Sequence, residues 1–197
     1  MGLTRVAPVA RGQIATIVTS LEMRQRPVAI VPAKSALKLV EWLRPIPADA
    51  YRDLYRQIGQ PWLWAGRLAI DAASLPVILN APTTQVLAAT RRDGTRVGLL
   101  ELDFAVPGAC EIVHFGLVPD VIGRDHGLWL LAHALRLAWV PGITRVWLHT
   151  SSRDHPGALD FHRRNGFVPF ERRVEIHDDP RLTGIHPVTV ASWLPII

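Results

Sequence analysis

Hydrophobic and polar positions in the second half of the chain follow one rhythm typical of helices and another typical of strands. Residues 127–139 carry apolar side chains every three to four positions until a proline–glycine pair ends the run, which predicts an amphipathic helix. Residues 143–150 alternate between apolar and polar side chains and predict a strand. A helix over residues 156–165 and a strand over residues 167–176 are expected to follow.

The first half of the chain contains more strand patterns. A run of β-branched residues predicts a strand over residues 13–23, and a second strand is expected over residues 37–46. Residues 49–58 begin with a good N-cap residue and end before a glycine, which predicts a helix. A second helix is expected over residues 69–79.

Three more strands are predicted in the middle of the chain. Residues 85–91 and 95–104 flank Asp93-Gly94, which is a strong hairpin signal, and residues 110–118 form the third strand. Strands alternate with helices only after this point. The order predicts an α+β fold around a mixed sheet with at least one parallel crossover.

The chain length fits one domain, which we expect to span residues 13–197 behind a flexible N-terminal arm of residues 1–12. Residues 184–197 are apolar and are expected to add a last strand or to contact a partner. They are therefore a hint of a homodimer.

Composition and charge exclude several classes of site. The chain carries 22 Lys and Arg residues against 17 Asp and Glu, a net charge of +5, and nearly all its cations are arginines. That bias suits phosphate or carboxylate partners, although a solvated basic surface is an equal alternative. The arginines are scattered, so no nucleic-acid interface is predicted.

Cysteine and histidine usage bears on metals and on the compartment. A single cysteine, Cys110, excludes an internal disulfide and a cysteine-rich zinc site, and the eight histidines show no metal-ligand spacing. No metal is expected. The apolar runs are too short to cross a bilayer, so we expect a cytoplasmic protein with no membrane partner.

One stretch carries the candidate chemistry. Residues 111–131 read EIVHFGLVPDVIGRDHGLWLL, a strand that runs through a glycine-containing turn into the clearest helix. Backbone N–H groups at such a turn, together with the helix dipole, favour an anionic ligand. Asp125 nevertheless places a negative charge in this turn.

This stretch, the sequence RVWLHTSSRDHPGALDFHRRNGF at residues 145–167 and PWLW at residues 61–64 together resemble the GNAT superfamily of acyl-CoA-dependent N-acetyltransferases, in particular one bacterial subgroup. The resemblance covers about residues 14–177. It implies a mixed, mostly antiparallel central sheet flanked by helices, with a V-shaped cofactor cleft. It also implies acetyl-CoA as co-substrate and a small-molecule or peptide amine as acceptor.

The resemblance places the coenzyme A diphosphate over the turn before the helix. The family turn reads Arg or Gln, two residues, Gly, one residue, then Gly or Ala. Aligned by the helix, only Gly127 fits and Asp125 replaces a glycine; a register shifted by two lets Arg124 match but puts Trp129 at the small-residue place. Arg124 and His126 could offset the charge of Asp125, or Asp125 could turn outward or cap the helix.

The residues that the resemblance assigns to the cofactor lie in three short segments. They are Leu117, Val118, Gly123, Arg124, Asp125, His126, Gly127, Leu128, His155 and Phe161. His155 stands where the family has an asparagine that binds the pantetheine arm. Its alternative role is to cap the next helix, for which Asp154 also qualifies.

Two residues are candidates for catalysis. Glu111 lies where several family members carry a catalytic glutamate, and strict alternation would place it on one face with Val113 and Phe115. Its alternative role is an exposed strand-end carboxylate or an ion pair. His162 replaces the family's usual tyrosine and could protonate the leaving thiolate, or could be a surface histidine.

The acceptor site is expected around Trp62, Trp64 and His114. The two tryptophans would suit an apolar or cationic amine, with core packing as the alternative. His114 is expected on the face opposite Glu111, where it lines the acceptor site or is a satisfied core histidine.

The sequence therefore predicts an N-acetyltransferase in which an amine attacks acetyl-CoA directly within a ternary complex. One alternative is a non-catalytic acyl-CoA-binding or regulatory domain, because Asp125 and His162 occupy atypical positions. A third hypothesis is a basic protein that interacts with nucleic acid.

Overall fold

The computed structural model describes residues 6–197, so the first five residues of the expected N-terminal arm lie outside the described residues. Residues 6–12 form no helix or strand. Gly12 nevertheless contacts the C-terminal segment through its backbone. Its N–H donates to the carbonyl of Ile197 at 2.9 Å, and its carbonyl accepts from the N–H of Asp179 at 2.8 Å.

Seven strands and five α-helices make up the regular structure of residues 6–197. The strands are β1 (Gln13–Met23), β2 (Lys38–Glu41), β3 (Thr84–Thr90), β4 (Arg96–Asp103), β5 (Ala109–Leu117), β6 (Arg145–Ser151) and β7 (Val168–Asp178). The helices are α1 (Ala48–Gly59), α2 (Gly66–Ala69), α3 (Ser74–Leu79), α4 (His126–Ala138) and α5 (Ala158–Arg164). Short 3₁₀ turns follow α1 and β5.

All seven strands form one mixed sheet in the order β2-β3-β4-β5-β6-β1-β7. Only β5 and β6 pair in parallel; the other neighbours are antiparallel. The expected mixed, mostly antiparallel sheet flanked by helices is confirmed. The helix α4 provides the crossover between β5 and β6, as parallel pairing requires.

The first strand of the chain lies inside the sheet and not at its edge. β1 pairs with β6 on one side and with β7 on the other. Its side chains Ile14, Thr16 and Val18 are buried, in alternation with exposed neighbours, which is why a β-branched run is favoured here.

A V-shaped opening separates β5 from β6. The two strands pair over only three positions, from Ala109 opposite Arg145 to Glu111 opposite Trp147, and continue unpaired beyond them. The register between β4 and β5 also shifts, so that Val113 has no partner on β4. Such a bulge bends the strand and helps it leave its neighbour.

Helices cover both faces of the sheet. Glu101 and Leu100 are adjacent on β4 and therefore point to opposite faces. Glu101 contacts Tyr51 of α1, and we call this side the α1 face. Leu100 lies opposite Phe115, which stacks on Phe161 of α5, and we call this side, which α4 also covers, the α4 face.

Three expectations about elements need correction. The second strand spans only Lys38–Glu41, well short of residue 46. Residues 69–79 form the end of one short helix and a second one, because the carboxylate of Asp71 accepts the N–H groups of Ala73 and Ser74 and starts α3 anew. Residues 184–197 add no strand.

The C-terminal segment folds into turns that are fixed to the body of the protein. Arg181 and Asp179 form a buried ion pair, with Nη2 to Oδ2 at 2.6 Å. Nη1 of Arg181 also donates to the carbonyls of Ala191 and Leu194, at 3.2 and 2.8 Å. None of the helices within residues 6–197 is long and apolar enough to span a bilayer.

Candidate active site

A cavity of about 1210 Å³ passes through the opening between β5 and β6. Phe115 and Phe161 line it from the α4 face, and Trp62, Trp64 and His114 line it from the α1 face. Both groups of predicted site residues therefore meet in one cavity.

The turn before α4 has an unusual backbone. Gly123, Arg124 and Asp125 follow one another with positive φ angles of 96°, 50° and 60°. Asp tolerates this left-handed region better than most side chains, which explains how Asp125 can occupy a glycine-like position. In the first turn of α4, the N–H groups of Gly127 and Leu128 make no hydrogen bond to another residue within 6–197.

The side chains of this turn behave differently from one another. Asp125 makes no capping hydrogen bond, so the expectation that it could cap the helix is wrong; it lines the cavity instead. His126 is buried, and its Nδ1 lies 2.9 Å from Oγ of Ser35. Arg124, which precedes Asp125 in the chain, is exposed.

His162 is buried among aromatic rings on the α4 face. Its ring lies 5.2 to 5.7 Å from those of Phe115, Phe161 and Phe167, and its Nδ1 has no hydrogen-bond partner within residues 6–197. Burial lowers the pKa of His162 to about 4. The imidazole is therefore uncharged at neutral pH, and any proton it donated would have to come from the neutral ring.

His155 orders the start of α5. Its Nδ1 accepts the N–H of Gly157 at 3.1 Å, and its ring packs edge-on against Trp62 at 5.5 Å. These contacts order the loop before α5, and His155 also lines the cavity. Asp154 instead accepts the N–H of Ser151 at 2.7 Å.

Leu117 and Val118 end the strand that leads into the turn. Leu117 lines the cavity, but the N–H of Val118 donates to the carbonyl of Val97 at 2.9 Å. The N–H of Val118 is therefore already satisfied within the sheet.

Glu111 lies beside the opening and does not line the cavity. Its Oε1 is 3.7 Å from Nδ1 of His149, which does line the cavity. On β4, Asp103 opposes Glu111 and Glu101 opposes His114, so Glu111 and His114 share a face. The expectation of opposite faces is wrong, because the bulge at Val113 interrupts the alternation.

A buried charged network, which was not predicted from the sequence, lies on the α1 face. Glu101 is 1% exposed, and its carboxylate accepts hydrogen bonds from Tyr51, Arg67 and His114. Burial alone would raise the pKa of Glu101, but the hydrogen bond from His114 and the charge of Arg67 outweigh it and lower the pKa to about 2. The sequence does contain one indication of this network, because a single carboxylate lies within the apolar run VGLLEL.

Trp64 joins α1 to the loop before α5. Its Nε1 donates to Oδ1 of Asp154 at 2.8 Å, and its ring lies 2.6 and 3.2 Å from where a Cβ at Gly59 and Gly116 would stand. A Cβ at Gly59 would clash with the indole, and a Cβ at Gly116 would stand only 2.5 Å from Cγ2 of Ile58. His186 of the C-terminal segment donates to the Trp64 carbonyl, so this segment supports the cavity wall.

Within residues 6–197, no group of three or more His, Cys, Asp or Glu side chains is arranged to hold a metal ion.

The chain matches the sequence profile described as the acetyltransferase (GNAT) family over residues 38–167. The match begins at β2 and ends before β7, so β1 and β7 lie outside it. No curated protein is significantly similar to the chain in sequence.

Solved structures of GNAT proteins share the fold. The chain is 19% identical to a GCN5-related N-acetyltransferase from Kribbella flavida, with a TM-score of 0.55. The matched region covers 88% of this chain and 63% of the Kribbella protein. The corresponding protein from Sphaerobacter thermophilus gives 19% identity, a TM-score of 0.57 and coverages of 92% and 55%. A tandem GNAT protein from the clavulanic acid biosynthesis pathway is 16% identical, with a TM-score of 0.55. The match covers 83% of this chain and 53% of that protein.

At these identities the similarity establishes the fold and nothing finer. The chain also spans less than two thirds of the length of each of these three proteins.

Proposed function

Because this chain belongs to the GNAT acetyltransferase family, we propose that it transfers an acetyl group from acetyl-CoA to an amine. The observation that carries the proposal is the continuous cavity between the unpaired parts of β5 and β6, which reaches the first turn of α4 on one face and aromatic side chains on the other. A thioester and an amine entering from opposite faces would meet between the two strands.

The α4 face suits the diphosphate of coenzyme A. The N–H groups of Gly127 and Leu128 are free at the start of a 13-residue helix, and the positive end of the helix dipole favours an anion there. Phe115 and Phe161 offer an apolar wall beyond this turn. Asp125 opposes binding through its charge, and the exposed cation of Arg124 offsets part of that effect.

The reaction needs a neutral amine, a site for the carbonyl oxygen and a route for protons. An ordinary ammonium has a pKa of about 10, so a base must take one proton before the nitrogen can attack. The amine nitrogen then forms a bond to the acetyl carbon, the carbon–sulfur bond breaks, and a second proton passes from nitrogen to sulfur. The products are an acetamide and the free thiol of coenzyme A.

The acceptor enters from the α1 face. Tyr55, Trp62 and Trp64 provide aromatic walls there, and Glu175 and Asp178 contribute carboxylates to the same cavity. Aromatic rings and carboxylates together suit an ammonium-bearing small molecule or peptide.

The cytoplasmic location and the homodimer stay predictions from the sequence.

A charge placed next to the diphosphate site tests the proposal. Leu128 lines the cavity and is 39% exposed, so Leu128→Glu should fold while repelling the diphosphate; Leu128→Gln is the matched neutral control. We expect acetyl-CoA to stabilise the wild type and the Gln variant in thermal melts, and the Glu variant to bind at least about tenfold more weakly. Free-thiol release with a panel of amines measures turnover.

Three outcomes would contradict the proposal. Absence of any heat of binding or melting shift with millimolar acetyl-CoA would exclude the donor. Binding without thiol release from any amine would favour the non-catalytic acyl-CoA-binding domain. Salt-dependent retention on a nucleic-acid column without an effect of coenzyme A would favour the third hypothesis.

A further inference from the structure

A charged network lies directly behind the α1-face wall of the cavity. Glu101 sits at its centre on β4, and it accepts hydrogen bonds from Tyr51 on α1, Arg67 on α2 and His114 on β5. Nδ1 of His114 is 3.1 Å from Oε2 of Glu101. Three separate elements therefore converge on one carboxylate.

Such a network is a costly way to fill a core. A buried carboxylate must be paired and hydrogen-bonded, and a well-packed apolar side chain of similar volume usually stabilises a core at least as well. The neighbours of Glu101 on β4, Leu99, Leu100 and Leu102, are fully buried and apolar. Stability alone therefore does not account for Glu101, which points to a role in positioning a neighbouring group.

The network fixes the proton on one nitrogen of His114. An ionised carboxylate can only accept hydrogen bonds, so Nδ1 of His114 must carry the hydrogen that it shares with Glu101. The neutral ring then has its lone pair on Nε2. Nε2 has no hydrogen-bond partner within residues 6–197, and it is absent from the fully buried unpaired atoms of that range.

The surroundings of His114 are suited to an amine. His114 lines the cavity, with the rings of Tyr55 and Trp64 at 4.9 and 5.8 Å from its own. Burial raises the pKa of Tyr55 to about 12, so this neighbour is an uncharged phenol. An ammonium held against these rings would have its protons next to Nε2.

Resting on the proposed function, we propose that His114 is the general base of the acetyl transfer and that Glu101 is the residue that positions it. Nε2 of His114 takes one proton from the ammonium and releases it to water after the products leave. The second proton leaves nitrogen for the sulfur, as the carbon–nitrogen bond forms and the carbon–sulfur bond breaks. Charge and atoms balance without any other reactant.

Glu111, the base expected from the sequence, is less well placed for this step. Its carboxylate does not line the cavity, and its Oε1 lies 3.7 Å from Nδ1 of His149, which is too long for a hydrogen bond. Within residues 6–197, it has no counterpart of the three donors that hold Glu101.

The first test compares three histidine or glutamate replacements in the full chain with acetyl-CoA and an amine that the wild type acetylates. His114→Gln can still donate to Glu101 and should fold, and we expect kcat to fall by about 10² to 10⁴ while acetyl-CoA binding is retained. Glu111→Gln should lower kcat by less than about tenfold. His133→Gln, on α4 and outside the cavity, controls for loss of a histidine.

Chemical rescue separates a base from a structural residue. Imidazole added to His114→Ala should restore part of the lost kcat, with a dependence on pH that follows the free imidazole base. Glu101→Gln, whose amide can donate to Nδ1 and favour the wrong ring tautomer, should lower kcat by about tenfold or more with KM nearly unchanged. A structural role alone would produce neither imidazole rescue nor this split between kcat and KM.

The outcomes distinguish this inference from the proposed function. Two results would overturn the role of His114 alone. In the first, the wild type acetylates amines and kcat of His114→Gln stays within tenfold of the wild-type value. In the second, a folded His114→Ala binds acetyl-CoA but gains no activity from imidazole. Loss of turnover in Glu111→Gln but not in His114→Gln assigns the base to Glu111. A wild type that neither binds acetyl-CoA nor releases thiol overturns the proposed function first.

Discussion

The two faces of the cavity differ in the groups that they present or rest on. On the α4 face, the candidate ligands are backbone N–H groups at the start of α4, next to the uncharged rings of Phe115 and Phe161. On the α1 face, the cavity wall rests on a charged side-chain network centred on Glu101. The first arrangement depends on backbone shape and tolerates side-chain changes, whereas the second depends on the identity of each residue.

The two faces also differ in how they treat a buried titratable group. His162 on the α4 face has no partner for its Nδ1 and is kept neutral by burial. Glu101 on the α1 face is kept charged by its hydrogen bonds in spite of burial. The difference shows that burial decides the charge only where no partner is supplied.

Removing the central carboxylate of the α1 face should have the largest effect. Glu101→Leu leaves the guanidinium of Arg67 and the hydroxyl of Tyr51 without their partner, and we expect the free energy of unfolding to fall by about 3–5 kcal/mol. Asp53→Asn breaks an exposed ion pair with Arg56 and should cost less than about 1 kcal/mol. Urea unfolding measures both, and equal losses would contradict the contrast between buried and exposed pairs.

Acid should destabilise the two faces in separate pH windows. The pKa of His162 is lowered to about 4 from 6.5, so the unfolded state binds the proton first and stability falls as pH drops from 6.5 to 4. The pKa of Glu101 is lowered to about 2 from 4.5, so its contribution is present above 4.5 and is lost as pH drops toward 2. The free energy of unfolding should fall by about 3 kcal/mol across each window.

Two variants assign these windows. His162→Phe places an apolar ring among Phe115, Phe161 and Phe167 and should abolish the upper window, with little loss of stability at pH 8. Glu101→Gln should abolish only the lower one. The free energy of unfolding, measured by urea titration at each pH, checks both; an upper window that persists in His162→Phe would contradict the assignment.

A smaller effect is expected where the α1 face depends on a single hydrogen bond. Trp64→Phe keeps an aromatic ring against Tyr55 but removes the 2.8 Å bond from Nε1 to Asp154, which should cost about 1 kcal/mol of stability. Trp62→Phe is the matched control in the same loop, because no hydrogen bond of its Nε1 is present within residues 6–197. A loss as large in the control would assign the effect to the volume of the indole.

The smallest effect is expected at the turn of the α4 face. Asp125→Asn removes a charge while keeping a side chain that tolerates the left-handed backbone, so coenzyme A should bind about two- to fivefold more tightly at low salt. The gain should shrink at high salt. Calorimetry at two salt concentrations measures it, with Asp53→Asn as a control remote from the cavity. Weaker binding in Asp125→Asn would show that the carboxylate has a favourable role.

Many local elements could be predicted from the sequence. The helix α4, the hairpin around Asp93-Gly94 and the bounds of β1 follow from apolar spacing and turn residues, and all three are present. The positions of Trp62 and Trp64 at the cavity followed from the resemblance to the GNAT superfamily, and both residues line it. These features depend on a few neighbouring residues, which is why the sequence contains them.

The rest depends on contacts between distant residues. No local pattern places the first strand between β6 and the last strand, because strand neighbours are chosen by the packing of the whole sheet. The bulge at Val113 likewise arises from pairing with β4, and it reversed the expected relation of His114 to Glu111. The partners of Glu101 lie 13 to 50 residues away along the chain.

The sequence by itself determined most of the strands and helices and the glycine-containing turn before α4, since these depend on local backbone preferences and periodic burial. Its resemblance to known proteins also indicated the family. Only the tertiary structure decided which histidine lies against the buried carboxylate. Glu101 gains its low pKa and His114 its fixed tautomer from groups that three separate elements bring together. Hydrogen-bond geometry of this kind does not exist until the chain has folded.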